Sequence, residues 1–385
     1  MYLKIFILFF VLTATPCLAE SKLKNELVEQ GEVHELGEFD TITLCPYSST
    51  QLKRIRDCVG SKPEAARRAQ EILLIATGHL NRKPQPIEKI HYEGLVNTDP
   101  KRIACVEHLL DMRVLGQLLQ AWAASGEDKW ADLARSYINA WTDTYRPTGN
   151  PINENKLEPI LVGYLSLRDG FKPAERNRIE RWVKTLKEKH TSKRVKDNNW
   201  GAKRLKIMLL AALILDDHDL VAHVKQEVRR YVDRSLYADG SSQDLKRRDA
   251  LSYHCSGLAP MLQNITILQS HGHNGDFWSY KGTKGGSLKK SVALLLPYAR
   301  REKVYHQWRN SIVKLDKRRA AAGIAKYQPG VTFDPTVAIK VLEWATPYQT
   351  GLAPIIADLL KRENTNFPTW RLVELHCLGE NKGEN

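Results

Sequence analysis

Ile103–Ala124 reads Ile-Ala-Cys-Val-Glu-His-Leu-Leu-Asp-Met-Arg-Val-Leu-Gly-Gln-Leu-Leu-Gln-Ala-Trp-Ala-Ala. Its apolar residues recur at intervals of three and four, the spacing of an α-helical face. The pattern repeats outward in both directions. Pro63 opens a helix over Glu64–His79, and further helical patterns cover Lys129–Tyr145, Lys156–Arg168, Pro173–Lys189, Ala202–Leu215 and His218–Leu236. The second half adds Ser252–Ser270, Ser287–Arg300, Pro335–Ala345 and Gly351–Arg362. Pro173 suits the first position of its helix, where no backbone donor is needed. Gly, Pro and Asn gather between these segments, and strand-like alternation is scarce. Helices paired through short turns predict an all-α double layer, which a bundle, a solenoid or a toroid would satisfy. No linker divides the chain, so 61–385 is expected to form one domain behind an N-terminal extension over 20–60.

Residues 1–19 carry Lys4, an apolar run from Ile5 to Leu12, and Cys17-Leu18-Ala19 before Glu20. That is the pattern of a cleaved secretory signal. The run is short for a bilayer span, and no later segment is long and apolar enough for one. Ala14-Thr15-Pro16 before Cys17 does not resemble a lipoprotein box. The mature chain is therefore expected to be periplasmic or secreted, with no membrane partner, and to act as a monomer. Export would leave Cys45, Cys58, Cys105, Cys255 and Cys377. None forms a Cys-x-x-Cys pair, Cys45 and Cys58 are closest in sequence, and the odd count leaves a thiol over. The formal net charge is +14, or +13 without Lys4. A basic protein suits an acidic partner. Nucleic acid is not expected, because no zinc-finger spacing or RNA-binding signature occurs; an exported chain meets acidic polysaccharide instead. His271-Gly272-His273 lacks companion ligands and is expected to end a helix, so neither metal nor cofactor is expected.

The most chemically loaded stretch is Asp239–Ser256, Asp-Gly-Ser-Ser-Gln-Asp-Leu-Lys-Arg-Arg-Asp-Ala-Leu-Ser-Tyr-His-Cys-Ser. Asp239-Gly240 signals a turn. Lys246, Arg247 and Arg248 follow, and Tyr253-His254 opens an apolar run. A turn and a helix start thus deliver cations, a phenol and an imidazole to one place, a set suited to binding a carboxylate and moving protons. A basic loop with a tyrosine packed under the next helix is the plain alternative. Upstream, Asp197-Asn198-Asn199-Trp200-Gly201 precedes a long apolar helix. One asparagine would cap it, and the other can donate toward a carboxylate at the helix N-terminus. Lys203 and Arg204 bring further positive charge one turn on.

The order Asp-Leu-Lys-Arg-Arg-Asp-Ala-Leu-Ser-Tyr-His resembles the Glu-Leu-x-Arg-x-x-Ala-Leu-x-Tyr-His segment of the alginate lyase family of polysaccharide lyases. The family's arginine and tyrosine then fall on Arg247 and Tyr253. Asn198-Asn199-Trp200 is similar to the family's Asn-Asn-His, with Trp200 standing in place of the histidine. The resemblance runs over roughly 92–298. It implies an (α/α) toroid with a cleft at one end. A loop centred on Pro147-Thr148-Gly149-Asn150-Pro151 also resembles one in the family. There Asn150, Asn153 and Lys156 would reach sugar hydroxyls or carboxylates, and Trp141 or Tyr145 would stack on a ring; the plain alternative is a self-satisfied turn that caps the next helix. His91 and Tyr92 lie in Arg82–Asp99, where related lyases carry a lid; a solvated connector is the alternative.

A uronic-acid polymer can be cut without water by β-elimination. The C5–H and C4–O4 bonds break, a C4=C5 double bond forms, and O4 takes a proton. The resemblance implies Asn199 and Arg247 as carboxylate neutralisers, because donors placed where charge develops act most on the transition state. It implies Tyr253 as acid, and as base too where both atoms lie on one face. Trp200 cannot be a base, so Tyr253 does both jobs, His254, His91 or Lys203 replaces the histidine, or turnover has been lost and binding kept. Asn198, Trp200, Lys203, Arg204 and Arg248 complete the expected substrate-binding set. A glycoside hydrolase on the same fold would need two flanking carboxylic acids. No pair among Glu93, Glu154, Asp239 and Asp244 is marked out by spacing.

Overall fold

The computed structural model describes residues 46–96, 98–362 and 370–378; the signal read at 1–19 and Cys45 lie outside them. Helices account for nearly all the order. They are α1 (Ser49–Ser61), α2 (Pro63–Thr77), α3 (Pro100–Ser125), α4 (Asp128–Thr144), the single turn α5 (Pro151–Glu154), α6 (Glu158–Leu167), α7 (Pro173–Thr191) and α8 (Asn199–Ile214). The second half adds α9 (His218–Ser235), α10 (Gln243–Arg248), α11 (Leu251–Ser270), α12 (Leu288–Ala299), α13 (Lys314–Ala321), α14 (Ile339–Ala345), α15 (Ala353–Arg362) and α16 (Trp370–Leu378). Among the described residues, strand pairing is limited to isolated bridges such as Leu236 with Ser242.

Burial sorts the helices into two layers. In α8 every residue from Arg204 to Ala212 is buried, and α11 is equally enclosed from Gly257 to Ile265. Such helices, apolar on all sides, must be surrounded by protein. α9 instead buries one stripe, Leu220, Val221, Val224, Val228, Tyr231 and Val232, and turns its charges outward. The contacts follow this division. α3, α6, α8, α11 and α14 pack in succession as an inner row, while α4, α7, α9 and α12 back them from outside. The result is an (α/α) toroid.

One expectation needs adjusting here, and one open pairing is filled. α1 falls inside the stretch read as an extension, yet it packs on α2 and α3 and belongs to the compact unit Asp40–Asn385. Cys58 does not pair with its sequence neighbour Cys45. It bonds Cys377, with the two Cα atoms 5.3 Å apart, and so joins α1 to α16. A toroid brings the end of its helical circuit back to the start, which sets these two cysteines side by side although 319 residues separate them. Cys105 and Cys255 are buried and form no disulfide among the described residues.

Candidate active site

A cleft of about 600 Å³ opens between the start of α8, the helix α10 and the loop before α5. Gly149, Asn150, Lys193, Arg194, Lys196, Asp197, Asn198, Trp200, Arg204, Gln243 and Arg247 line it. Five cations face one carboxylate, which gives the cavity a positive field that concentrates anions.

Local chemistry fixes each wall. Asn198 caps α8, its Oδ1 accepting the Trp200 N–H at 3.1 Å. The Asn199 N–H donates to Asp244 Oδ2 on α10 at 2.6 Å, which draws the two helix starts together. A Cβ on Gly201 would stand 1.8 Å from the Lys196 carbonyl oxygen, so only glycine lets the Lys193–Asp197 segment fold across this first turn. That fold lays the Lys196 ammonium over the Trp200 ring, 4.1 Å from its centroid. Burial pushes the Asp244 carboxyl up to about 6, against the pull of Arg248, the Asn199 amide, Lys203 and Arg247. The Asn199 side chain is buried. Its Nδ2 reaches Ser256 Oγ at 3.4 Å, and its Oδ1 finds no partner among the described residues. An unsatisfied buried amide costs about 1–3 kcal/mol, a cost that a ligand group in the cleft can remove.

α10 stops at Asp249, whose left-handed backbone (φ 51°) breaks the helix before α11 begins. Asp249 holds this conformation by accepting from Tyr305 Oη at 2.6 Å and the Asn310 N–H at 2.9 Å. Beyond the break, Tyr253 lies half-buried one turn before Ser256 on α11, so the partner of Asn199 and the phenol share a helix face. The Arg248 guanidinium stacks over the Tyr253 ring at 3.8 Å while pairing with Asp316 on α13. Trp308 meets the ring edge-on at 5.7 Å. Arg319 Nη1 donates to the phenol oxygen at 3.1 Å.

The loop rim is organised by a buried carboxylate. Glu154 accepts from Tyr145 Oη at 3.0 Å, from the Thr148 N–H and hydroxyl, from the Gly149 N–H at 3.0 Å, and from His190 Nε2 at 2.6 Å. Burial pushes its carboxyl up, but His190 and Thr148 outweigh that and leave it below its ordinary value. Burial holds His190 below its own ordinary value, against the opposing pull of Glu154. Arg204 Nη1 faces the remaining nitrogen, Nδ1, at 3.3 Å, and a guanidinium can only donate. His190 is therefore neutral.

Several expected site residues serve the scaffold instead. His254 is fully enclosed: Nε2–H donates to the Ser291 carbonyl at 3.1 Å, and Nδ1 accepts from the Ser242 hydroxyl at 2.8 Å. Both ring nitrogens are spent, and burial drops its pKa to about 4. Tyr145 and Trp141 are fully buried, tied to Glu154 and Asp111, so neither stacks on a sugar. Asn153 is buried, accepting from the Glu93 N–H and donating to the Ile90 carbonyl. Tyr92 is buried between the Arg102 and Lys156 cations, 4.0 and 4.1 Å from its ring centroid. Arg204 borders the cleft, yet its guanidinium is engaged by the His190 and Gly149 carbonyls. Asn150 lines the rim while its Oδ1 caps α5. His91 is exposed on a segment pinned through its own N–H to Cys105 Sγ. Lys203 is half-buried just inside α8. Lys193, Arg194, Lys196 and Gln243 line the cleft without having been singled out, and Arg319 touches Tyr253 from a helix far along the chain. The run Lys193-Arg194-Val195-Lys196 was the available signal for the first three.

Comparison with known proteins bears on the family and the fold. The family model for alginate lyase matches residues 57–305. None of the curated proteins matches the chain by sequence. An alginate lyase from Bacteroides ovatus is 17% identical and superposes with a TM-score of 0.64, covering 87% of this chain and 99% of that one. Alginate lyase A1-III from Sphingomonas species A1 is 15% identical at a TM-score of 0.53, with 70% and 83% covered. A histidine-to-alanine variant of A1-III complexed with a tetrasaccharide is 14% identical at 0.56, with 83% and 93% covered. These likenesses share the toroid, and the matched residues enclose both motifs: the chain belongs to the alginate lyase family of polysaccharide lyases.

Proposed function

We propose that the protein cleaves alginate, poly-mannuronate first, by β-elimination in this cleft, after export from the cytoplasm. One observation carries the reading. The Asn199 backbone is bonded to α10, which bears Arg247, and the Asn199 amide is bonded to Ser256, one turn from Tyr253. Three segments distant in sequence are thus tied together beside a basic cavity whose wall includes Asn198 and Arg247, which supports the reading. The disulfide between Cys58 and Cys377 suits an oxidising compartment.

In this mechanism the C6 carboxylate sits against Arg247 and the Asn199 amide, which take up the charge that develops when C5 loses its proton. Removing one such donor typically costs about 10²–10³-fold in rate. Tyr253, starting as the phenolate, takes the C5 proton and, as the neutral phenol so formed, gives it to O4, which restores the phenolate. The C4–O4 bond breaks and C4=C5 forms, leaving one unsaturated uronate end and one free hydroxyl. Lys196 and Trp200 form a cation and a flat face at the cleft wall, fit to hold a neighbouring uronate where the family keeps a histidine.

The test follows absorbance at the unsaturated-uronate band with poly-mannuronate, poly-guluronate, glucuronan and a glycosaminoglycan, with and without chelator. A rise that Tyr253→Phe abolishes, with polymer binding retained, is the expected result. Near-parental rates in Tyr253→Phe would remove the assignment. A flat parental trace with measurable polymer binding would favour the second reading, a binder whose Trp200 marks lost turnover.

A further inference from the structure

Arg319 lies on α13, beyond the stretch 57–305 that the family model matches. Its side chain is buried, with 7% of the residue exposed, yet Nη1 donates to Tyr253 Oη at 3.1 Å and to Tyr327 Oη at 2.6 Å. A guanidinium carries only donors, so both phenol oxygens are acceptors in these bonds. This fixes the direction of the Tyr253 hydroxyl. Its oxygen is held from the protein side by the Arg319 guanidinium. The same helix secures the ring from a second direction. Asp316, three residues before Arg319, pairs with the Arg248 guanidinium that stacks on Tyr253. Trp308 closes the ring edge.

Such an arrangement exceeds what packing a tyrosine requires. A buried cation aimed at a phenol oxygen stabilises negative charge there, and a charge-assisted bond is roughly twice as strong as a neutral one. We propose that Arg319 is a positioning residue of the active site, anchoring the Tyr253 oxygen and bearing the charge it carries while a proton moves between C5 and O4. The inference rests on the lyase reading above. Proton balance is unchanged: Arg319 donates a hydrogen bond throughout and transfers no proton.

The experiment compares parent, Arg319→Gln and Arg319→Lys on the polymer the parent degrades, with circular dichroism confirming the fold. If charge on the Tyr253 oxygen is what Arg319 serves, Arg319→Gln lowers kcat by about 100-fold with KM within about threefold, since the bond, present throughout, counts most while the oxygen exchanges its proton and touches no substrate. Arg319→Lys, which keeps a cation, recovers about a tenth of the parental kcat or more. A merely structural arginine would change KM and stability together, with no recovery by lysine. Should the glutamine variant not fold, Arg319→Met, of similar length and without a buried amide, takes its place. Folded Gln or Met variants with kcat within about threefold of the parent overturn the inference while the lyase reading stands, because transition-state loss must appear in kcat. A parent inactive on every polyuronate overturns both.

Discussion

The enclosure of His254 has a thermodynamic signature that can be measured against pH. In the fold its pKa is about 4, while an exposed histidine titrates near its ordinary 6.5. The native imidazole is neutral because Ser242 and Ser291 use both nitrogens and burial disfavours charge. As pH falls through 6.5, the unfolded chain takes up a proton that the fold refuses until about 4. Stability is therefore lost across that window, and the loss levels off below it. At about 1.4 kcal/mol per pKa unit, the loss between pH 8 and pH 4.5 is about 2.5 kcal/mol. Asp244 works in the opposite direction. Its folded pKa of about 6 lies above the ordinary 3.8, so the fold gains stability as pH falls, by about 2 kcal/mol over the same interval. The two nearly cancel in the parent, so a parental pH profile would hide both. The informative quantity is the cost of His254→Gln, which keeps a donor for the Ser291 carbonyl and removes the titration. Urea unfolding of parent and variant, with the disulfide intact, should show that cost shrinking by about 2.5 kcal/mol between pH 8 and pH 4.5. A cost constant to within about 0.5 kcal/mol would refute the reasoning, since that is the scale of the extrapolation error.

Two further outcomes follow from the fold. Cys377→Ser should lower stability by about 2–5 kcal/mol, the usual value of a bridge closing a long loop, and thermal unfolding with and without reductant reads it; equal midpoints would count against the bridge. Gly201→Ala should cost about 3 kcal/mol and lower activity with it, because the added methyl meets the Lys196 carbonyl and displaces the cleft wall. Its denaturation midpoint and initial rate would both be measured, and an unchanged pair would show that the segment yields freely.

The helical plan was legible because each inner helix is a long apolar run and each outer helix shows one stripe; both signals are local. What escaped was short or charged. Gln243–Arg248 is six residues ending in Lys246-Arg247-Arg248, with no apolar period to mark it, and Lys314–Ala321 is similarly polar. In the site, the neighbours Tyr253 and His254 were read as a pair. Adjacent residues on a helix point about 100° apart, so while Tyr253 stays half-buried, His254 enters the core. The polar loop around Asn150 was open to a sugar-binding reading because its chief acceptor, Glu154, is an unremarkable glutamate until the fold buries it under His190. Arg319 carries no local signal: 66 residues separate it from the oxygen it touches.

The bond between Cys58 and Cys377 also bears on how the molecule comes apart. In a row of helices that pack chiefly on their neighbours, loosening starts at an end and travels inward one pair at a time, as a strip peels. Here the first described helix and the last are stapled together and packed on each other. Neither can fray alone. A break must begin in mid-circuit or pull both ends away together, so proteases that trim chain ends should find α1 and α16 sheltered by one another.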